Sequence, residues 1–233
     1  MQDLRFFDVN CRVGIPMNGG LEFVSSAGEL LAEMDAAGVG RAVISHFNTQ
    51  PVGAVRCNQL LERFFGEDPE RRLTGCWCIM PECAGEKTPT GKAFYAAMRA
   101  NRVEMVEIFP AAHRWEPRRI VIGRQFDELA ERKIVIKVSV GAVGGWSGVY
   151  DLVERFPNNR FLVTNTNLWG CDRYIRPFFE TTDKVFMELS EYWVADGVAA
   201  LVAKYGAGQL LYGSGYPQWN QANQMMNIRH ARI

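Results

Sequence analysis

The stretch FFDVNCRVG, residues 6–14, is an apolar run in which Asp8, Asn10 and Arg12 fall on alternate positions before Gly14. Alternate side chains of an extended strand share a face, so these three are expected to point together at whatever the strand's end overlooks. Similar short, β-rich runs recur along the chain: RAVISH, LTGCWCIMP, VEMVEIFP, IVIKVSV, RFLVTN, KVFMELS and QLLYGSGYP. Their starts are separated by roughly 24 to 37 residues, about the length of one strand–helix unit.

Amphipathic segments with helix punctuation lie between them. SSAGELLAEMDAAGVG opens on serines and closes on Gly38, and GVYDLVERFP stops before Pro157. FDELAERK sets Phe126, Leu129 and Ala130 at helical spacing and ends on cations, which suits the helix dipole. DGVAALVAKYGAG starts on Asp196, a residue type that caps helices, and stops at Gly206. Eight strands alternating with helices, apolar on both faces, imply a parallel sheet. Eight even units close most simply as a (β/α)8 barrel forming one domain over residues 1–233. A doubly wound open sheet fits less well, because the first turn is not glycine-rich. After the eighth strand only WNQANQMMNIRHARI remains, so the last barrel helix is expected to be shortened.

The 26 basic and 26 acidic residues cancel, and no basic stripe stands out, which argues against nucleic acid or an anionic membrane as a partner. MQDLRFF lacks a signal-peptide pattern and no apolar run reaches the length of a membrane span. With six cysteines and no secretory signal, a reducing cytoplasmic location is expected. Cys76, Cys78 and Cys83 in GCWCIMPEC match neither usual zinc spacing and are read as core residues.

Three blocks together resemble the amidohydrolase-related (amidohydrolase-2) family of metal-dependent TIM-barrel hydrolases and decarboxylases. FFDVNCRVG is similar to the family's first strand, D-x-H-x-H-x-G. ERFPNNRFLVTN (154–165) is similar to the approach to its sixth strand, and YGAGQLLYGSGYP (205–217) to its last, which normally carries a catalytic Asp. The resemblance implies hydrolysis or decarboxylation of a small, often carboxylated compound. It also places the metal ligands, and here they are replaced: by Asn10 and Arg12 on the first strand, Ser139 on the fifth, Asn165 on the sixth and Gly215 on the eighth. Zinc requires three or four lone-pair donors, which arginine and glycine do not offer. No metal site and no cofactor are therefore expected.

In such barrels chemistry sits at the C-terminal strand ends. Arg12 could hold a carboxylate or phosphate through its planar fork, or pair with Glu107, Glu188 or Glu191 in the emptied metal pocket. His113, Glu107 and Glu188 are the acid–base candidates, if the two glutamates face inward. Asn10, Arg12, His46, Ser139, Asn165 and Tyr216 are the candidate substrate contacts, with Trp115, Trp146, Trp169 and Trp193 as aromatic walls joined by Trp219 on the same rim. GSGYP (213–217) admits a backbone cradle for an anion. The expected function is a metal-independent hydrolase, or a decarboxylase or lactonase-type enzyme, acting on a small anionic compound. The alternative is an inactive pseudo-hydrolase that serves as a binding or scaffold protein. A homodimer or higher homo-oligomer is expected, since a short last helix leaves apolar surface beside strands one and eight.

Overall fold

The computed structural model describes residues 5–17, 23–85 and 91–233. The eight expected runs form one parallel sheet: β1 (Phe6–Val13), β2 (Val39–His46), β3 (Leu73–Cys78), β4 (Val103–Ile108), β5 (Val135–Ser139), β6 (Arg160–Thr164), β8 (Val185–Glu188) and β10 (Leu210–Leu211), in that spatial order. The ends of the sheet meet. Val9 N donates to Tyr212 O at 3.1 Å, Gly215 N to Asn10 O at 2.9 Å and Arg12 N to Tyr216 O at 2.8 Å. The fold is a (β/α)8 barrel. Two further strands, β7 (Leu168–Trp169) and β9 (Tyr192–Trp193), pair with each other beyond the ends of β6 and β8.

The helices follow the local code. α1 (Ala27–Ala37) carries a full capping box: Ser26 Oγ accepts from Glu29 N, and the Glu29 carboxylate accepts from Ser26 N. It ends at Gly38, whose φ of 80° is a left-handed conformation that glycine adopts without penalty. α2 (Thr49–Val52) and α3 (Ala54–Gly66) fill the second connection, and α4 (Gly91–Ala100) the third. α5 (Arg119–Glu131) starts earlier than FDELAERK suggested, because Ile122 extends the buried Phe126–Leu129 stripe back by one turn. α6 (Trp146–Arg155), α7 (Arg176–Thr181), α8 (Gly197–Tyr205) and the eight-residue α9 (Asn223–His230) complete the ring. Asp196 stands at the start of α8 as expected but does not cap it. Its backbone is left-handed, φ 53°, and its side chain makes no cap hydrogen bond. No helix among the described residues is long and apolar enough to cross a membrane.

Two apolar layers sandwich the sheet. The outer core packs strands on helices, with Leu30, Met34, Phe126, Phe156 and Phe161 among its fully buried members. The inner layer is small: Val9, Val43, Cys76, Met105 and Leu162 fill the barrel interior, with Val135, Phe186 and Leu211 against them. Cys76 and Cys78 are buried as expected, whereas Cys83, beyond the strand, is exposed.

Candidate functional site

Above the inner apolar layer the barrel interior turns polar. β4, β5 and β8 each place a charged side chain there: Glu107, Lys137 and Glu188, all essentially buried. The question of their facing is answered by register. Glu107 pairs with Lys137 across β4 and β5, and neighbouring residues of parallel strands project to the same side. Lys137 Nζ donates to Ser45 Oγ at 2.9 Å. It stands 3.0 Å from Glu107 Oε2, close enough for an ion pair though off the angle of a hydrogen bond.

Glu188 is held differently. Its carboxylate accepts from Asn10 Nδ2 at 3.1 Å and from Ser190 Oγ at 2.8 Å, with the Ser190 backbone N–H on the other oxygen. Complete burial raises its pKa to about 7, with the Asp8 charge adding to the rise; the Ser190 and Asn10 donors only partly offset this. Only glycine fits opposite: a Cβ on Gly213 would lie 2.3 Å from Glu188 Oε1. A carboxyl with a raised folded pKa binds its proton more tightly when folded, so stability falls as pH climbs from 4.5 towards 7. That interval corresponds to about 3 kcal/mol. Wild type is therefore expected to lose stability relative to Glu188→Gln between pH 5 and pH 8, read from urea midpoints; parallel curves for the two proteins would refute it.

β1 does not keep strict alternation. Its register with β2 slips between Asp8 and Cys11, which adds one residue to β1. Asp8, Asn10 and Arg12 consequently do not act as one row. Val9 joins the inner apolar layer, while Asp8 accepts from Ser214 N at 2.9 Å, from Ser214 Oγ at 2.5 Å and from Asn10 N at 3.0 Å. Asn10 reaches Glu188. Arg12, in register with Ser45, is half-buried, and its guanidinium lies 6.0 Å from the centre of the Phe47 ring. Among the described residues the guanidinium makes no hydrogen bond and no ion pair. The pairing of Arg12 with Glu107, Glu188 or Glu191 is thus not what the structure shows. Each glutamate is engaged elsewhere, Glu191 with Asn165 Nδ2 at 3.2 Å and Asn167 N at 3.1 Å.

The remaining candidates are dispersed around the mouth. His46 is buried against Gly14, where a Cβ would come within 2.5 Å of Nε2, and its Nδ1 accepts from Asn48 N at 3.2 Å. Burial holds its pKa below the usual imidazole value, with Glu107 opposing. His113 is half-buried; Nε2 is 3.1 Å from Thr49 O and Nδ1 is 4.0 Å from Cys78 Sγ. Ser139 is half-buried at the end of β5. Asn165 follows directly on β6 with a left-handed φ of 50°. The tryptophans form pairs rather than one cluster: Trp146 stacks on Tyr174 at 5.4 Å and Trp193 meets Trp219 edge-on at 6.4 Å. Trp169 is 77% exposed, and the indole N–H of half-buried Trp115 has no hydrogen-bond partner among the described residues. Tyr216 belongs to the outer core and does not line the interior layer. The anion cradle in GSGYP is also overturned. Its N–H groups at Ser214, Gly215 and Tyr216 are consumed by Asp8, Asn10 O and Ser214 Oγ.

Sequence reasoning missed Lys137, Ser45, Ser190 and Cys78 as members of this site. The available signal was Lys137 itself, a lone charge in the middle of IVIKVSV, where an apolar strand would exclude it unless it is paired.

No protein-family model and no curated protein matches the sequence. Solved structures do match it in fold. A 5-carboxyvanillate decarboxylase from Novosphingobium aromaticivorans, solved with manganese, shares 11% identity over 100% of this chain and 93% of its own, with a TM-score of 0.72. A 2,6-dihydroxybenzoate decarboxylase from Rhizobium shares 10% identity over 98% of this chain and 93% of its own, TM-score 0.68. A probable 2-pyrone-4,6-dicarboxylic acid hydrolase from Acinetobacter baumannii, with citric acid bound, shares 12% identity over 97% of this chain and 87% of its own, TM-score 0.62. At these identities the likeness establishes the (β/α)8 fold.

The residues at the mouth do not fit a metal of the kind such barrels hold. Among the described residues no three His, Cys, Asp or Glu side chains gather where they could ligate one ion. Asn10 Oδ1 is buried without a hydrogen-bond partner among the described residues, but it is one oxygen where three or four donors are required. Gly215 has φ 68°, and a Cβ there would meet Trp219 at 2.9 Å and Ser190 Oγ at 3.0 Å, so a carboxylate could not replace it without rearrangement. The buried Lys137 ammonium and the Arg12 guanidinium add positive charge to the same interior, which disfavours a divalent cation.

Proposed function

We propose that this chain is a divergent amidohydrolase-related barrel that binds a small anionic organic compound at its C-terminal mouth. It hydrolyses that compound, or breaks a C–C bond in it as a decarboxylase does, without a family-type metal centre. Arg12 carries the reading. It is a half-buried guanidinium at the interior end of β1 with no anionic partner among the described residues, and its fork matches a carboxylate bidentately. Glu188 supports the acid–base part, because a carboxyl with a pKa of about 7 takes up and releases a proton near neutrality. The names of the fold neighbours support the substrate class, since they act on carboxylated aromatic or pyrone compounds.

The test uses benzene-1,3-dicarboxylate as the probe. Exhaustive dialysis against a chelator is expected to leave its stabilising effect on the thermal melt unchanged, and elemental analysis to find no stoichiometric zinc, manganese or iron. Metal at about one ion per chain, lost together with binding, would overturn the proposal. Binding that persists without turnover of any carboxylated ester, lactone or aromatic acid would leave only the ligand-binding pseudo-hydrolase.

A further inference from the structure

The geometry points to Cys78 as a nucleophile and His113 as its general base, forming a metal-independent acyl-transfer site for a small ester or lactone. This inference rests on the hydrolase reading above and names the group that would perform it. Cys78 is the last residue of β3, at the mouth end of the barrel. It pairs in register with Glu107, which pairs with Lys137, so a thiol, a carboxylate and an ammonium occupy corresponding positions on three adjacent strands. Cys76, two residues earlier on β3, belongs to the inner apolar layer, and burial pushes its thiol up.

The histidine is oriented for the task. Nε2 lies 3.1 Å from the Thr49 carbonyl, and a carbonyl can only accept, so Nε2 carries the proton. The lone pair is then on Nδ1, 4.0 Å from Cys78 Sγ, whose S–H also lies 3.8 Å from the Ile79 carbonyl. Nucleophile, base and an orienting acceptor for the base make up the arrangement that activates a thiol. Thr49 is itself tied down, its hydroxyl donating to His46 O at 2.7 Å. The half-buried His113 ring packs edge-on against Phe109 at 5.9 Å, which limits its rotation.

In the reaction, the Cys78 S–H proton passes to His113 Nδ1 as sulfur attacks the acyl carbon. A C–S bond forms, the acyl C–O bond breaks, and the departing oxygen takes the proton from Nδ1. Water then gives a proton to Nδ1 and attacks the thioester carbon. The C–S bond breaks and sulfur recovers the proton, so ester and water become acid and alcohol with no other reactant.

Cys78 is 1% exposed. The cavity of about 200 Å³ beside β3 lies on its outer face, walled by Asn58, Phe94, Tyr95 and Gln125 with Trp77, whereas the Cys78 side chain packs inward with Ala54, Phe109, Ala142 and Met80, so acylation requires local opening of that small cluster. The experiment treats the full chain with para-nitrophenyl acetate, a neutral ester that does not need Arg12. The expected result is a stoichiometric burst of nitrophenolate and an acetyl group mapped to Cys78 by peptide mass spectrometry. Cys78→Ser is expected to lose the burst. His113→Gln, which keeps an N–H for the Thr49 carbonyl, should acylate roughly a hundredfold more slowly, the scale of a general base. Native iodoacetamide labelling is the second measurement, with Cys78 expected to react ahead of buried Cys57 and Cys76. Acetyl found only on exposed Cys83 or Cys171, an unlabelled Cys78, or a His113→Gln rate equal to wild type would overturn the assignment. If a carboxylate still binds through Arg12 while Cys78 stays unacylated, the thiol assignment falls and the anion reading stands. If Cys78 is acylated and no anion binds, the anion reading falls alone.

Discussion

Arg12→Ala is expected to abolish most of the stabilisation that benzene-1,3-dicarboxylate gives, while leaving the melt of the unliganded protein nearly unchanged. The guanidinium has no hydrogen bond or ion pair among the described residues, so its removal strands no buried carboxylate. What it loses in the free protein is the contact with Phe47 at 6.0 Å, worth about 0.5–1 kcal/mol at a partly exposed site. What the complex loses is a charge-assisted, bidentate pair, roughly 2–5 kcal/mol. Arg12→Lys keeps the charge but not the planar fork and should recover only part of the binding. Two measurements decide the matter: a melt without ligand and the ligand-induced change in it. A large loss of stability with no dependence on the anion would mean that Arg12 is structural and the site filled in.

Lys137→Met is expected to have the opposite signature, a large loss of stability with or without ligand. The ammonium is 2% exposed and sits between Glu107 Oε2 at 3.0 Å and Ser45 Oγ at 2.9 Å. Removing it leaves the Glu107 carboxylate buried without its counter-charge, which costs about 3–5 kcal/mol. For a domain of this size that lowers the melting temperature by roughly 6–20 °C. Adding Glu107→Gln should recover a substantial part, because the stranded charge is then gone and the two sites are in contact. A loss below about 1 kcal/mol in the single variant would show that water reaches the pair and screens it. The two glutamates also part company here. Glu107 stands beside the Lys137 ammonium, whereas Glu188 has only uncharged donors to set against its complete burial, and that burial raises its pKa to about 7.

The sequence alone determined the barrel. Strand spacing, apolar runs suited to both faces of a sheet, the Ser26–Glu29 box closed by Gly38 and the short α9 all express local periodicity and capping, which depend on neighbours a few residues away. It also carried a resemblance under which Asn10, Arg12, Asn165 and Gly215 stand at positions where metal donors are expected, an expectation that rests on residue identities and needs no coordinates. Who pairs with whom was decided only by the tertiary structure. Asp8 finds Ser214 across 206 residues, Asn10 finds Glu188 across 178, and Cys78 meets His113 across 35. A single extra residue on β1 between Asp8 and Cys11 broke the alternation that had put Asp8, Asn10 and Arg12 in one row. The same closure of β1 on the strand after β10 consumed the GSGYP amides that would otherwise have read as an anion cradle. The physical reason is the period of two along a strand: one residue of slip exchanges the faces, and only the barrel's closure fixes where that slip falls.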